Sequence, residues 1–175
     1  MYKIIIAGFG GQGVLSLGQI LAYSAMTENK EVTWLPSYGP EMRGGTANCS
    51  VIISDDAVAA PVIASPDVLV IMNKPSLYKF IDKVEKGGTV FINSSLVDVK
   101  VERKDVNTIY VPANELAHEL GTEKAANIYM LGVINKVCNI LKKESIYNGI
   151  EYGFHVKPKL IDLNKKIYDE AFKKF

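Results

Sequence analysis

The chain is 175 residues long, 48% hydrophobic and 22% charged, which predicts one globular domain, residues 1–175, able to bury roughly 70% of its unfolded surface without disulfides or metal. Twenty Lys+Arg against nineteen Asp+Glu leave a formal net charge of +1, so electrostatics gives no reason to expect nucleic acid or an anionic membrane as partner. The two cysteines, Cys49 and Cys138, cannot by themselves ligate a four-cysteine cluster or zinc. No run approaches the ~20 apolar residues of a membrane helix, and Met1 leads straight into a strand pattern with no basic, apolar and cleavage regions in order, so the expected compartment is the cytoplasm.

In chain order, Lys3 to Ala7 is a short apolar run closed by Gly8, and Val14, Leu17, Leu21 and Ala25 recur at helical spacing between Gly13 and Glu28. Glu31 to Leu35 reads as a second strand and Pro36 to Gly45 as a loop. Thr46 to Ser54, rich in β-branched residues, is a third strand ended by the turn pair Asp55-Asp56. Asp67 to Met72 is a continuous apolar strand of the kind buried on both faces. A helix from Pro75 to Val84 ends at Gly87-Gly88, and Thr89 to Asn93 and Thr108 to Val111 are further strands. This alternation predicts a three-layer α/β/α sandwich with a Rossmann-like, mainly parallel sheet.

The last third, about 125–175, reads as helical. Ala125 to Leu141 is apolar nearly all round, as in a helix packed on several sides. Ser145 is expected to cap a short helix, and Pro158 to sit in the first turn of a terminal one whose Leu160, Leu163, Ile167 and Ala171 share a face. Its lysines read first as a solvated face, with a charged docking surface as the alternative.

Gly8-Phe9-Gly10-Gly11-Gln12-Gly13 fits the dinucleotide fingerprint G-x-G-x-x-G, placed after a strand and before a helix. Glycines permit the tight turn and let backbone N–H groups approach an anion, with the helix N-terminus adding up to ~1–2 kcal/mol. A nicotinamide site would also want an acidic residue at the end of the second strand, and Val32-Thr33-Trp34-Leu35-Pro36-Ser37 has none. A phosphate-bearing ligand, a partner's backbone, or close packing alone remain as uses for these glycines. No Gly-Lys-Ser/Thr follows them, so nucleotide hydrolysis has no support.

Only two arginines occur, and one of them, Arg43, lies in Ser37-Tyr38-Gly39-Pro40-Glu41-Met42-Arg43-Gly44-Gly45. Its planar fork, flanked by glycines, is free to reach a carboxylate or phosphate. Glu41 is the competing local partner, in a surface pair worth little. Asn73 and Asn93-Ser94-Ser95 follow strands, where polar residues serve as helix caps or ligand contacts. His118 and His155 have no ligand cluster near them in sequence and read as surface or capping residues, Cys49 as a buried thiol, and Lys124 as part of a helix start.

Taken together, the glycine turn, the Ser37–Gly45 loop, Pro66-Asp67, Met72-Asn73 and Asn93-Ser94-Ser95 resemble, in order and spacing over residues 1–140, the gamma subunit of 2-oxoacid:ferredoxin oxidoreductases. The resemblance implies a subunit with no catalytic residue and no bound metal or cofactor of its own. It implies alpha and beta partners holding thiamine diphosphate and magnesium, Fe-S clusters on a delta subunit or elsewhere, coenzyme A as co-substrate and ferredoxin as indirect partner. The reaction implied is oxidative decarboxylation of a 2-oxoacid (2-oxoglutarate or a branched-chain 2-oxoacid before pyruvate) to acyl-CoA, CO2 and reduced ferredoxin. Under this reading Gly8, Gly10, Gly11, Gln12, Gly13, Ser37, Tyr38, Glu41, Arg43, Gly44 and Gly45 form the ligand or interface loops, with Asn73, Asn93 and Ser94 as lesser candidates. A free-standing Rossmann-like dehydrogenase and a purely structural scaffold are the alternatives. Without partners the isolated chain is expected to be inactive and to self-associate through its uncovered apolar surface.

Overall fold

A computed structural model describes residues 1–38 and 46–175. The elements run β1 (Tyr2–Phe9), α1 (Val14–Met26), β2 (Glu31–Tyr38), β3 (Thr46–Ser54), β4 (Val68–Ile71), α2 (Lys74–Phe80), β5 (Thr89–Asn93), β6 (Asn107–Val111), α3 (Ala113–Glu119), α4 (Ala126–Cys138), α5 (Lys143–Gly153) and α6 (Ile161–Lys174). The strands form one six-stranded sheet in the order β2-β3-β1-β4-β5-β6. Strands β1, β4, β5 and β6 pair in parallel, and β3 pairs antiparallel with both β1 and β2. The sheet is therefore mixed. Parallel neighbours need a crossover of a dozen or more residues, and the short Gly/Pro-rich stretch between β2 and β3 has no room for one.

Each face of the sheet carries its own core. On one side Ile4, Ile6, Val51 and Val70 pack under α1, α3, α4, α5 and α6, and on the other Ile5, Ala7, Leu69, Ile71, Val90 and Ile92 pack under α2 and the coil around Ile63 and Val97. This is the expected three-layer sandwich, unequally filled. Strand β4 is buried along its whole length because both its faces are covered. Every residue of α4 from Ala126 to Asn135 is buried, since the helix lies against α1, α3, α6 and β5.

Three local expectations change. Residues Ala113–Glu119 form α3, a helix not foreseen from the sequence. Ser145 is not a cap: α5 begins at Lys143, so Ser145 lies inside the helix and is buried. The helix expected to reach Leu141 stops at Cys138, where Asn139 turns left-handed at φ 49°. On the terminal helix, Ile167 and Ala171 are buried and Leu163 packs against the core, while Leu160 is still partly exposed. No helix among the described residues is long and apolar enough to cross a membrane.

Candidate functional site

The glycine turn leaves the carboxyl end of β1 and opens α1. Gly11 and Gly13 take φ values of 96° and 72°, the left-handed region that disfavours side chains. At Gly13 a Cβ would also stand 2.3 Å from Nδ2 of Asn127, the buried residue whose amide donates to the Gly13 carbonyl at 3.2 Å. Gln12 fills the inside of the turn. Its Oε1 accepts from the Phe9 N–H at 2.6 Å, and its Nε2 donates to the Met72 carbonyl at 2.9 Å. Its side chain thus ties the turn to the residue following β4. The outer rim, formed by Phe9, Gly10 and Gly11, is exposed.

Helix α1 goes to one face of the sheet after β1, and α2 to the other after β4. The carboxyl ends of these two neighbours are therefore a topological switch point, the crevice where open α/β sheets bind ligands. Asn73 stands at this crevice, 2% exposed, and caps α2 by accepting from the Ser76 N–H at 2.9 Å. Its Nδ2 and the Ser76 hydroxyl are buried without a hydrogen-bond partner among the described residues.

Asn93, wholly buried at the end of β5, accepts from the N–H groups of Ser95 and Ala113 and donates to Asn114 Oδ1 at 2.8 Å. The Ser94 N–H donates to the Val111 carbonyl at 2.8 Å. Both residues hold the β5 end to the start of α3. The sequence reading named Ser95 but missed its partners Asn114 and Glu115: the Ser95 hydroxyl bonds the Glu115 carboxylate and holds it below its ordinary range, and the Asn114 N–H donates to the same hydroxyl. The available signal was Asn114-Glu115 following a strand, as Asn73 and Asn93 do.

Strand pairing brings the second loop to the same end of the sheet. Phe9 stands opposite Thr46, and Ala47 opposite Tyr38. The residues flanking 39–45 are therefore within two strand spacings, about 10 Å, of the glycine turn. Ser37, opposite Asn48, is exposed there. Glu41, Arg43, Gly44 and Gly45 lie outside the described residues.

The arrangement counts against a dinucleotide. In the dinucleotide fold the strand that follows α1 lies parallel beside β1 and carries the ribose-binding acid, whereas here the strand that follows α1, β2, lies at the sheet edge and its place beside β1 is taken by antiparallel β3, which presents Thr46, Ala47 and Asn48 at that end. Cys49 is fully buried, and burial pushes its thiol up to about 12; the half-buried Cys138 thiol is pushed up to about 11. Neither is poised as a nucleophile. His118 and His155 are exposed.

A family model described as pyruvate ferredoxin/flavodoxin oxidoreductase matches residues 3–174. The chain is 45% identical over 168 residues to ketoisovalerate oxidoreductase subunit VorA of Methanothermobacter marburgensis, covering 95% of this chain and 35% of that one. It is 37% identical over 151 residues to 2-oxoglutarate synthase subunit KorC of Methanocaldococcus jannaschii, covering 85% of this chain and 81% of that one. Among solved structures, the gamma subunit of keto/oxoacid ferredoxin oxidoreductase from Geobacter sulfurreducens superposes with a TM-score of 0.85 at 29% identity, covering 99% of this chain and 98% of that one. The chain thus spans about a third of the length of VorA and nearly all of the Geobacter subunit.

Proposed function

The chain belongs to the pyruvate ferredoxin/flavodoxin oxidoreductase family, and on that premise we propose that it is the gamma subunit of a 2-oxoacid:ferredoxin oxidoreductase that contributes to coenzyme A access and to assembly. In this reading the complex decarboxylates a 2-oxoacid, passes the acyl group to coenzyme A and the released electrons to ferredoxin. Alpha and beta subunits hold thiamine diphosphate and magnesium, and Fe-S clusters sit on a delta subunit or elsewhere in the complex. The likeness to about a third of VorA supports a chain that works as part of a larger assembly. A branched-chain 2-oxoacid is the favoured substrate, since the relative named for ketoisovalerate is 45% identical and the one named for 2-oxoglutarate 37%. That these two relatives carry different substrate names supports reading of the 2-oxoacid side chain mainly by other subunits.

The observation that carries the site is the pairing register, which gathers the glycine turn and both flanks of residues 39–45 at the switch-point end of the sheet. Gly8, Gly10, Gly11, Gln12, Gly13, Ser37 and the segment holding Glu41, Arg43, Gly44 and Gly45 face the catalytic subunits. Arg43 supplies positive charge to a coenzyme A phosphate or to the substrate carboxylate. Losing such a charge-assisted contact costs ~1.5–3 kcal/mol. Arg43→Ala is therefore expected to raise the KM for coenzyme A of the assembled complex at least about tenfold while the complex stays intact; unchanged kinetics would remove the assignment.

A second reading has its own observation. Gln12 spends both ends of its amide inside the chain, and Gly13 is held by Asn127, as a purely structural scaffold would require. Under that reading, substitutions in the two loops impair assembly and leave the coenzyme A KM alone.

A further inference from the structure

We infer that the free edge of β6 pairs with the β6 edge of a second copy of this chain, antiparallel about a two-fold axis at Ile109. The two outer strands of the sheet, β2 and β6, are protected unequally. Strand β2 carries Pro36, which has no N–H to offer a further strand. Strand β6, Asn-Thr-Ile-Tyr-Val, has neither proline nor charge, the devices that keep an open edge from pairing.

The hydrogen bonds at the two ends of β6 identify its free groups. The Asn107 N–H donates to the Gly88 carbonyl and the Val111 carbonyl accepts from the Ser94 N–H, both at 2.8 Å. In a parallel pair alternate residues turn their N–H and C=O toward the neighbouring strand. Asn107, Ile109 and Val111 therefore face β5, and Thr108 and Tyr110 direct their backbone groups outward, where no described residue bonds them. Two copies of this edge fit each other. With Ile109 opposite its own copy, Thr108 of each chain faces Tyr110 of the other, and each of these two pairs exchanges both N–H···O bonds. Thr108 and Tyr110 share the face of Val90 and Ile92, so a threonine also lies beside a tyrosine ring across the joint, a favourable cross-strand pair.

Charge at the two ends of the strand selects the occupant and its direction. Lys104 stands just before β6 and Glu115 just after it, in the first turn of α3. Both are exposed, and neither takes part in the ion pairs among the described residues. Antiparallel pairing brings Lys104 of each copy to the end where Glu115 of the other stands, whereas parallel pairing would set like charges together. The strands are only 5 residues long, and so short a contact falls below the roughly 1,200 Å² of a stable interface, which predicts a reversible dimer with a micromolar dissociation constant. Strand β6 is the sheet edge opposite the β2–β3 hairpin, so the dimer leaves both loops of the candidate site open.

The test is sedimentation velocity of the isolated full chain from micromolar to millimolar concentration, where a monomer–dimer equilibrium is expected. Thr108→Pro removes an outward N–H that β5 does not use, and should raise the dissociation constant at least about tenfold. Lys104→Glu and Glu115→Lys should each raise it at least about threefold, and the two together should return it to within about twofold of the parent. Circular dichroism checks the fold of every variant, and the charge exchanges, at exposed positions, decide the matter if Thr108→Pro unfolds. A chain that stays monomeric throughout, a folded Thr108→Pro variant that dimerises as the parent does, or a double exchange as weak as the single ones would overturn the inference. Partner subunits and coenzyme A play no part in this experiment, so either outcome leaves the proposed function where it stood.

Discussion

At the residue scale the glycine turn separates two kinds of constraint that look alike in the sequence. Gly11 needs only a left-handed backbone, because a Cβ there would meet nothing within 4 Å, whereas Gly13 needs the same backbone and is also pressed against Asn127. Gly11→Ala should therefore cost about 1–2 kcal/mol, the penalty of the left-handed region. Gly13→Ala should cost more, since displacing Asn127 also breaks its bond to the Gly13 carbonyl, adding about 1 kcal/mol or more. Urea unfolding of the two variants checks the order; equal midpoints would mean that Asn127 moves aside freely. The glycines themselves were legible in the sequence. The use of Gln12 was not, because one of its partners is the carbonyl of Met72, sixty positions away in the chain.

At the element scale the C-terminal helices are joined by two polar devices. Asn135 is buried in α4, where its amide donates to the Leu141 carbonyl and the Tyr168 hydroxyl, both at 2.9 Å, and accepts from the Leu141 N–H at 3.0 Å. It fixes the turn that leaves α4 and docks α6 in one motif. Asn135→Ala orphans these partners at about 1–3 kcal/mol each where water cannot reach them, and a large fall in unfolding midpoint is expected; a change within the error of the measurement would contradict the role.

Asp169 on α6 is the second device. It receives a hydrogen bond from the Tyr147 hydroxyl at 2.5 Å and an ion pair from Lys143 at 2.7 Å. Burial pushes its carboxyl up, but these two α5 partners outweigh it, and the group lies below its ordinary value. A carboxyl depressed by folding stabilises at pH above its unfolded value of about 3.9, and that stabilisation is lost as pH falls through the folded value. The gap in unfolding midpoint between the parent and Asp169→Asn is therefore expected near neutral pH and should close in acid; a gap that widens in acid would reverse the sign of the argument.

The strands were legible because each is a short apolar or β-branched run bounded by turn residues, and all six exist where the sequence places them, except that β2 continues through Pro36–Tyr38, read as loop, because those residues pair with Ala47–Cys49 of β3. Helix α3 was not, because Ala113–Glu119 is a single short stretch with no side-chain cap, and its neighbours are what make it a helix. The direction of β3 could have been inferred from the length of the connection before it, which is too short for a crossover helix. The misreading of Ser145 has a related cause: a serine near a helix start reads as a cap unless the burial of the first turn is known.

At the scale of the whole molecule, an unequal sandwich places one thin layer, α2 and its flanking coil, opposite a thick helical layer. The switch point between β1 and β4 follows from that division, and the β2–β3 hairpin carries the flanks of the second loop to the same end. The motifs of the candidate site were visible as residues, but their convergence depends on strand order, which a sequence does not display. The flanks of the segment holding Arg43, the residue on which the kinetic prediction rests, meet the glycine turn at that end because Tyr38 pairs with Ala47 and Thr46 with Phe9.

The measurement that bears most directly on the central claim is purification of the tagged chain from its own cells, with mass spectrometry of what accompanies it and a viologen-reduction assay of the eluate with 2-oxoacids and coenzyme A. The account predicts copurifying subunits that carry thiamine diphosphate and Fe-S clusters, and reduction that requires both a 2-oxoacid and coenzyme A, fastest with a branched-chain acid. A chain recovered without partners that binds a nicotinamide nucleotide would contradict it.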